Sequence, residues 1–279
     1  MNTIYLNGEF LPLAQACISV QDRGFIFGDG VYEVIPVYEG QLFRLSQHLQ
    51  RLERSLDKIR LANPLTQSQW ETTLHELIDR NGGGNQTIYL QVTRGEAERT
   101  HHFPATVKPT VFIRCNPFAI PTSDGVKVIT AEDTRWSHCD IKSIALLNNV
   151  LLRQQAIEAQ AVETILIRQG QVTEGAATNV FVVLEGIAIT PPKNQFILAG
   201  ITRELILELM QEVELPCREA VITESQLRQA EEIWISSSTR ELSPVVTLDD
   251  QTVGNGQPGQ LYTKVYSLFQ TYKQRISHV

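Results

Sequence analysis

The chain has 279 residues, 42% of them hydrophobic and 20% charged, which suits a soluble globular protein of one large or two ordinary domains. A formal net charge of -7 without any long Lys/Arg block argues against nucleic acid or an anionic membrane as the main partner. No apolar run approaches the roughly 18 residues of a spanning helix, and Met1-Asn2-Thr3-Ile4-Tyr5 has neither a basic leader nor a signal-type stretch, so a cytoplasmic protein is expected.

Asn7-Gly8 lies between the apolar fragments Ile4-Tyr5-Leu6 and Phe10-Leu11, the strongest short hairpin signal a sequence offers. Val31 to Tyr38, the turn Glu39-Gly40 and Gln41-Leu42-Phe43 read as a second hairpin. From Ser46 the pattern becomes helical, with Leu45, Leu49, Leu52, Leu56 and Ile59 spaced by four and three. At about 100° per residue, His48, Arg51 and Ser55 fall along one border of that stripe rather than on the solvated face. A second helix is expected over 68–79, stopped by Asn81-Gly82-Gly83-Gly84, followed by strands over 87–93 and 110–115. The proline- and turn-rich stretch Asn116 to Gly125 is the candidate linker. Its centre, 118–124, divides an expected N-terminal domain (1–117) from a larger C-terminal one (125–279). The second half holds the Lys142 segment, read as a helix start, and a hairpin over 164–174. A strand over 179–184, an amphipathic helix over 201–213 and a strand over 233–236 follow, the last entering a serine-rich turn.

Lys142 heads the apolar run Ile144-Ala145-Leu146-Leu147. Loss of hydration and a positive helix end would both favour its neutral, nucleophilic amine, the form that makes a Schiff base with a carbonyl compound or with pyridoxal phosphate. A snorkelling lysine with its stem in the core and its head in water fits the segment equally well. Lys58, Lys108, Lys127, Lys193, Lys264 and Lys273 stand beside polar or loop residues, which leaves Lys142 as the Schiff-base candidate if there is one. Gly200-Ile201-Thr202 opens the 201–213 helix, so its free amides offer an anion site, although the motif serves equally as a plain N-cap. The hydroxyls of Ser236, Ser237, Ser238 and Thr239 lie just past a strand end, and Arg51 could add positive charge. Glu174 ends a strand and precedes the small residues Gly175-Ala176-Ala177, a setting for a carboxylate facing a flat ring or simply for a solvated strand end. Cys17, Cys115, Cys139 and Cys217 are scattered, without the spacing of a zinc site or a disulfide framework, and no metal is expected.

Taken together, these segments resemble the fold-type IV pyridoxal-phosphate enzymes, and within them the D-amino-acid transaminases. The resemblance runs essentially end to end. It rests on Asp22-Arg23-Gly24-Phe25, Phe27-Gly28-Asp29-Gly30-Val31-Tyr32-Glu33, His48-Leu49-Gln50-Arg51-Leu52, Thr93 to Pro104, the Lys142 segment, Val172-Thr173-Glu174-Gly175, Gly200-Ile201-Thr202-Arg203 and Ser236 to Pro244. It implies a two-domain fold of mixed α+β and α/β character, with a small α+β N-terminal domain and a larger C-terminal domain around a β-rich core. It implies that Lys142 binds pyridoxal phosphate covalently, that Glu174 pairs with the pyridine nitrogen, and that Arg51, Ile201, Thr202 and Ser238 hold the phosphate. Tyr32, Arg99 and His101 would trap the substrate carboxylate, with Arg99 and His101 coming from the neighbouring subunit of a homodimer and His48 belonging to the same shared pocket. A planar guanidinium suits a carboxylate, and residues two apart on an extended loop face one way.

The implied reaction is a ping-pong transamination between a D-amino acid of the D-alanine or D-glutamate type and a 2-oxo acid, pyruvate or 2-oxoglutarate. Aminodeoxychorismate lyase, branched-chain aminotransferase and (R)-amine transaminase activities share the scaffold, and the Arg99-x-His101 pair favours the D-amino-acid branch over them. Two positions depart from the family pattern. Ala199 stands where many relatives carry asparagine, and Arg240 stands where a smaller residue is usual; turned inward, Arg240 would favour acidic substrates.

Overall fold

The computed structural model describes residues 2–106, 108–122 and 124–277. Ser123 of the expected linker, and Met1, His278 and Val279 at the outer ends of the two expected domains, lie outside the described residues, as does Val107. The chain forms two compact units, one of Met1–Ile120 with Ile141–Ala145 and Ile276–Val279, the other of Pro121–Asp140 with Leu146–Arg275. Both mix helix and sheet. No helix among the described residues is long and apolar enough to cross a membrane.

In the first unit, β1 (Thr3–Leu6) and β2 (Glu9–Pro12) form the hairpin that Asn7-Gly8 signals, with φ of 52° and 106° at the two turn residues. A short helix, α1 (Arg23–Phe27), is capped by the Asp22 carboxylate and closed by Gly28, whose φ of 67° is the left-handed conformation that favours glycine. Then come β3 (Gly30–Tyr38), β4 (Gln41–Leu42), α2 (Leu45–Lys58), α3 (Gln67–Arg80), β5 (Gln86–Thr93) and β6 (Thr110–Pro117). The six strands order as β2-β1-β6-β5-β3-β4. Alternation along β3 points Val31, Ile35 and Val37 into the core that Leu49, Leu52 and Leu56 of α2 and Trp70, Leu74 and Leu77 of α3 complete. Each such fully buried side chain contributes about 1.5–3 kcal/mol, so the leucine stripe is what docks α2 on the sheet. A Thr66–Gln69 capping box starts α3.

The second unit contains β7 (Val126–Glu132), α4 (Leu147–Glu158), β8 (Glu163–Arg168), β9 (Gln171–Gly175), β10 (Asn179–Leu184) and β11 (Ile187–Thr190). It continues with α5 (Ile201–Glu212), β12 (Cys217–Glu219), α6 (Glu224–Arg228), β13 (Glu232–Ser237), β14 (Glu241–Leu248), β15 (Gln251–Thr252) and α7 (Gln260–Ser277). Its sheet orders as β12-β11-β10-β13-β14-β7-β8-β9, with β15 on β14. Two cores flank it. Val180, Val182, Ile233 and Ile235 join Ile222 and Leu227 in one core, while Phe181, Val183 and Trp234 join Ile206, Met210 and Val265 in the other. Burial on both faces is why β10 and β13 read as unbroken apolar runs.

The Lys142 segment differs from the helix start expected of it. Helix α4 begins at Leu147, and residues 141–145 form an irregular segment of the first unit that bridges to β3. Val31 and Ser143 form an isolated antiparallel bridge, the Tyr32 amide donates to the Lys142 carbonyl at 2.9 Å, and the Ile144 amide donates to the Gly30 carbonyl at 3.1 Å. Backbone bridging of Lys142, Ser143 and Ile144 to β3 therefore fixes the segment, and α4 starts five residues beyond Lys142.

Candidate active site

Within the first unit, strand alternation places Glu33 in the same row as Val31, Ile35 and Val37, a carboxylate in a row of buried aliphatics. Helix α2 meets it with two side chains. Arg51 donates from Nε to Glu33 Oε1 and from Nη2 to Oε2, both at 2.8 Å, and His48 Nδ1 lies 2.7 Å from Oε2. Burial alone would raise the Glu33 carboxyl, but the Arg51 charge and hydrogen bonds hold it well below the usual carboxylate range. For His48 burial dominates over Glu33 and lowers the imidazole, which stays neutral at pH 7 and donates from Nδ1. Lys142 is half-buried beside this cluster, its amide donating to Ser55 Oγ at 3.3 Å and its Nζ lying 4.2 Å from the centroid of the Tyr32 ring. His48 and Arg51 thus meet on Glu33, while Lys142 touches α2 through its amide and Tyr32 of β3 through its ammonium.

Arg99 and His101 are exposed on the irregular connection between β5 and β6. Both meet the ring of Phe27: the Arg99 guanidinium carbon is 5.4 Å from its centroid, and the His101 ring lies 5.6 Å away, tilted by 44°. Both side chains therefore reach the same ring.

Within the second unit, Glu174 is a buried carboxylate in β9. Arg135 Nη1 donates to its Oε1 at 2.5 Å, while the Leu198 amide and Asn179 Nδ2 donate to Oε2 at 3.0 and 3.1 Å. Burial pushes this carboxyl up to about 7, against the pull of Arg135. Arg135 is divided, because its Nε and Nη2 serve Asp133 at 2.9 and 3.0 Å. Asn179 also donates to the Leu198 carbonyl at 2.9 Å and pairs with Ser236 across β10 and β13, tying Glu174 to the approach of α5 and to the serine turn. Gly200 is the N-cap of α5 with no side-chain cap, Ile201 and Thr202 are buried at its first turn, and Ser238 is half-buried in the turn after β13. The buried Ser236 hydroxyl lacks a partner among the described residues. A buried carboxylate, an uncapped helix start and a hydroxyl cluster are the receptors that a protonated ring nitrogen and a phosphate require, so these residues fit pyridoxal phosphate. Arg240, also half-buried, faces the charges of Glu163 and Arg153.

Four residues escaped the sequence reading of roles: Glu33, Asp133, Arg135 and Asn179. For Glu33 a signal existed, a charge at a position that period-two alternation assigns to the core. Arg135 follows β7, which carries no clear alternation, so nothing local marked it.

Residues 30–248 match the family described as Amino-transferase class IV. A D-alanine aminotransferase of Bacillus licheniformis is 42% identical over 270 residues, covering 96% of this chain and 95% of that protein. One of Staphylococcus haemolyticus is 38% identical over 276 residues, with 98% of each covered. Among solved structures, an Escherichia coli branched-chain amino acid aminotransferase is similar at a TM-score of 0.91 and 25% identity, over 97% of this chain and 94% of that one.

Proposed function

The chain belongs to the class IV aminotransferases, and from that premise we propose a pyridoxal-phosphate-dependent transaminase acting between D-amino acids and 2-oxo acids, with its site residues in the following roles. The observation that carries the substrate class is the convergence of Arg99 and His101 on Phe27, two donors suited to one carboxylate.

Pyridoxal phosphate supplies an aldehyde for the amino group and an electron-withdrawing ring. Lys142 would hold it covalently through its ε-amine, and with that amine free it would serve as the general base that takes and returns the substrate α-proton. Glu174 would pair with the ring nitrogen and favour its protonated form. A carboxyl near 7 is matched to sharing a proton with a pyridine, and the Arg135 contact biases it toward the anion. The amides of Ile201 and Thr202, the Ser238 hydroxyl and Arg51 bind the phosphate, with Glu33 fixing the plane of the Arg51 guanidinium. Tyr32, with Arg99 and His101 of the neighbouring copy in a homodimer, orients the substrate carboxylate, and His48 belongs to the same substrate-binding set. The exposure of Arg99 and His101 on a loop supports their use in trans. A cytoplasmic location belongs to the same proposal.

The test is a panel of D- and L-amino acids given singly to the cofactor-loaded enzyme without an oxo acid. D-alanine and D-glutamate should each bleach the cofactor band and release one equivalent of 2-oxo acid. Reaction confined to L-amino acids would overturn the assignment. Borohydride should fix the cofactor on Lys142, and a Lys142→Ala variant that still turned over would remove its role.

A further inference from the structure

Arg23 opens α1 and is buried, yet its guanidinium spends itself on a neighbouring loop. Nε donates to Asp29 Oδ2 at 2.8 Å. Nη1 donates to the Thr100 carbonyl at 2.7 Å and reaches the His102 carbonyl at 3.5 Å, so the two acceptors flank His101. The same guanidinium packs 4.8 Å from the centroid of Phe27, the ring that Arg99 and His101 meet. Behind it the geometry is locked. Arg94 Nε donates to the same Asp29 oxygen at 2.8 Å, and Arg94 is anchored on the carbonyls of Arg60 and Ile59 at 3.2 and 2.6 Å.

The connection between β5 and β6 has no ladder of its own over residues 99–102. An exposed loop of that kind would spread its side chains over many positions, and a two-point clamp loses most of its value when its donors are not held in place. We propose that Arg23 is a positioning residue: through the Thr100 and His102 carbonyls and the Phe27 ring it sets the places from which Arg99 and His101 meet a substrate carboxylate. The inference rests on the reading of Arg99 and His101 as that clamp. Only a planar fork can serve Asp29 from one edge and the loop carbonyls from another while stacking on an aromatic ring. A lysine keeps the charge beside Asp29 but offers one point of donation.

The experiment compares steady-state kinetics of wild type, Arg23→Lys, Phe27→Leu, Arg99→Ala and the double variant Arg23→Lys/Arg99→Ala with D-alanine at saturating oxo acid. Arg23→Lys should raise KM on the order of tenfold with kcat nearly kept, because the loss falls on substrate capture. In the double variant it should add little to the effect of Arg99→Ala, since both act through one clamp. If Arg23→Lys fails to fold, Phe27→Leu decides, because it removes the shared ring and leaves the Arg23–Asp29–Arg94 ion pairs in place; a raised KM is expected there too. An unchanged KM in the variants that fold, a fall in kcat alone, or full multiplication of the two single effects would each overturn the proposal. Should Arg99→Ala itself leave KM unchanged, the clamp reading fails first; a raised KM in Arg99→Ala beside wild-type values in Arg23→Lys and Phe27→Leu overturns only the role of Arg23.

Discussion

Arg135 and Glu174 meet at 2.5 Å, while the other edge of the same guanidinium is committed to Asp133. The two carboxylates are treated unequally. Asp133 also accepts from Thr173 Oγ1 and pairs with Arg168, and it is held below its ordinary value despite burial. Glu174 receives one charged donor and is pushed up to about 7. One arginine thus keeps one carboxylate firmly ionised and leaves its neighbour near the point of exchange.

That elevation has a consequence for stability. Folded protein without cofactor binds the Glu174 proton more tightly than the unfolded chain, whose ordinary value is 4.5. The stabilisation is complete below about 4.5 and is lost as pH rises through about 7, on the order of 3 kcal/mol in all. Unfolding of the cofactor-free protein in urea across this range should show that decline, and Glu174→Gln should abolish it. Equal slopes in the two proteins would show that Glu174 titrates normally.

Arg135→Leu would leave Asp133 and Glu174 buried without their common cation. Breaking such a pair costs about 3–5 kcal/mol, visible in urea midpoints. Because Glu174 would then ionise only at higher pH, the acid limb of the kcat profile should move up. A profile that stays in place would detach Arg135 from the chemistry.

Glu33→Gln strikes the other buried cluster. Arg51 would lose its bidentate carboxylate and His48 its acceptor, at a cost of about 3 kcal/mol or more. With the guanidinium no longer held in plane, phosphate binding should weaken as well, measured as cofactor retention in dialysis. Loss of thermal stability with full retention would confine Glu33 to a structural role.

How much of this was legible depends on the range of the interactions. The Asn7-Gly8 hairpin, the leucine stripe of α2 and the two-sided burial of β10 are periodic or local, and a sequence displays them directly. His48 and Arg51 could be placed at the border of the stripe; that they are buried follows from Glu33, a partner on another element. Lys142 was marked by its apolar surroundings, but its true setting bridges residues 142–144 to a strand more than a hundred positions earlier, and no local pattern encodes such a pairing. The helix start assigned to it was the local answer to a non-local cause. Arg135 was missed for the same reason: its two carboxylate partners make it significant, and one of them, Glu174, lies 39 residues away.

Gly200→Ala tests the remaining element, the start of α5. The φ of -72° at Gly200 is open to alanine, so backbone strain does not enter. The added methyl would instead overlap Asn179 Oδ1, well inside van der Waals contact. Asn179 must then swing away, releasing Glu174 Oε2 and the Leu198 carbonyl together. Overpacking of this kind costs about 1–3 kcal/mol, and here it falls on the residues proposed to receive the ring nitrogen and the phosphate. The expected result is a cofactor dissociation constant raised on the order of tenfold, partly recovered in Gly200→Ala/Asn179→Ala, where the clash is gone. Wild-type affinity in the single variant, measured by equilibrium dialysis, would mean that the α5 terminus does not carry the phosphate.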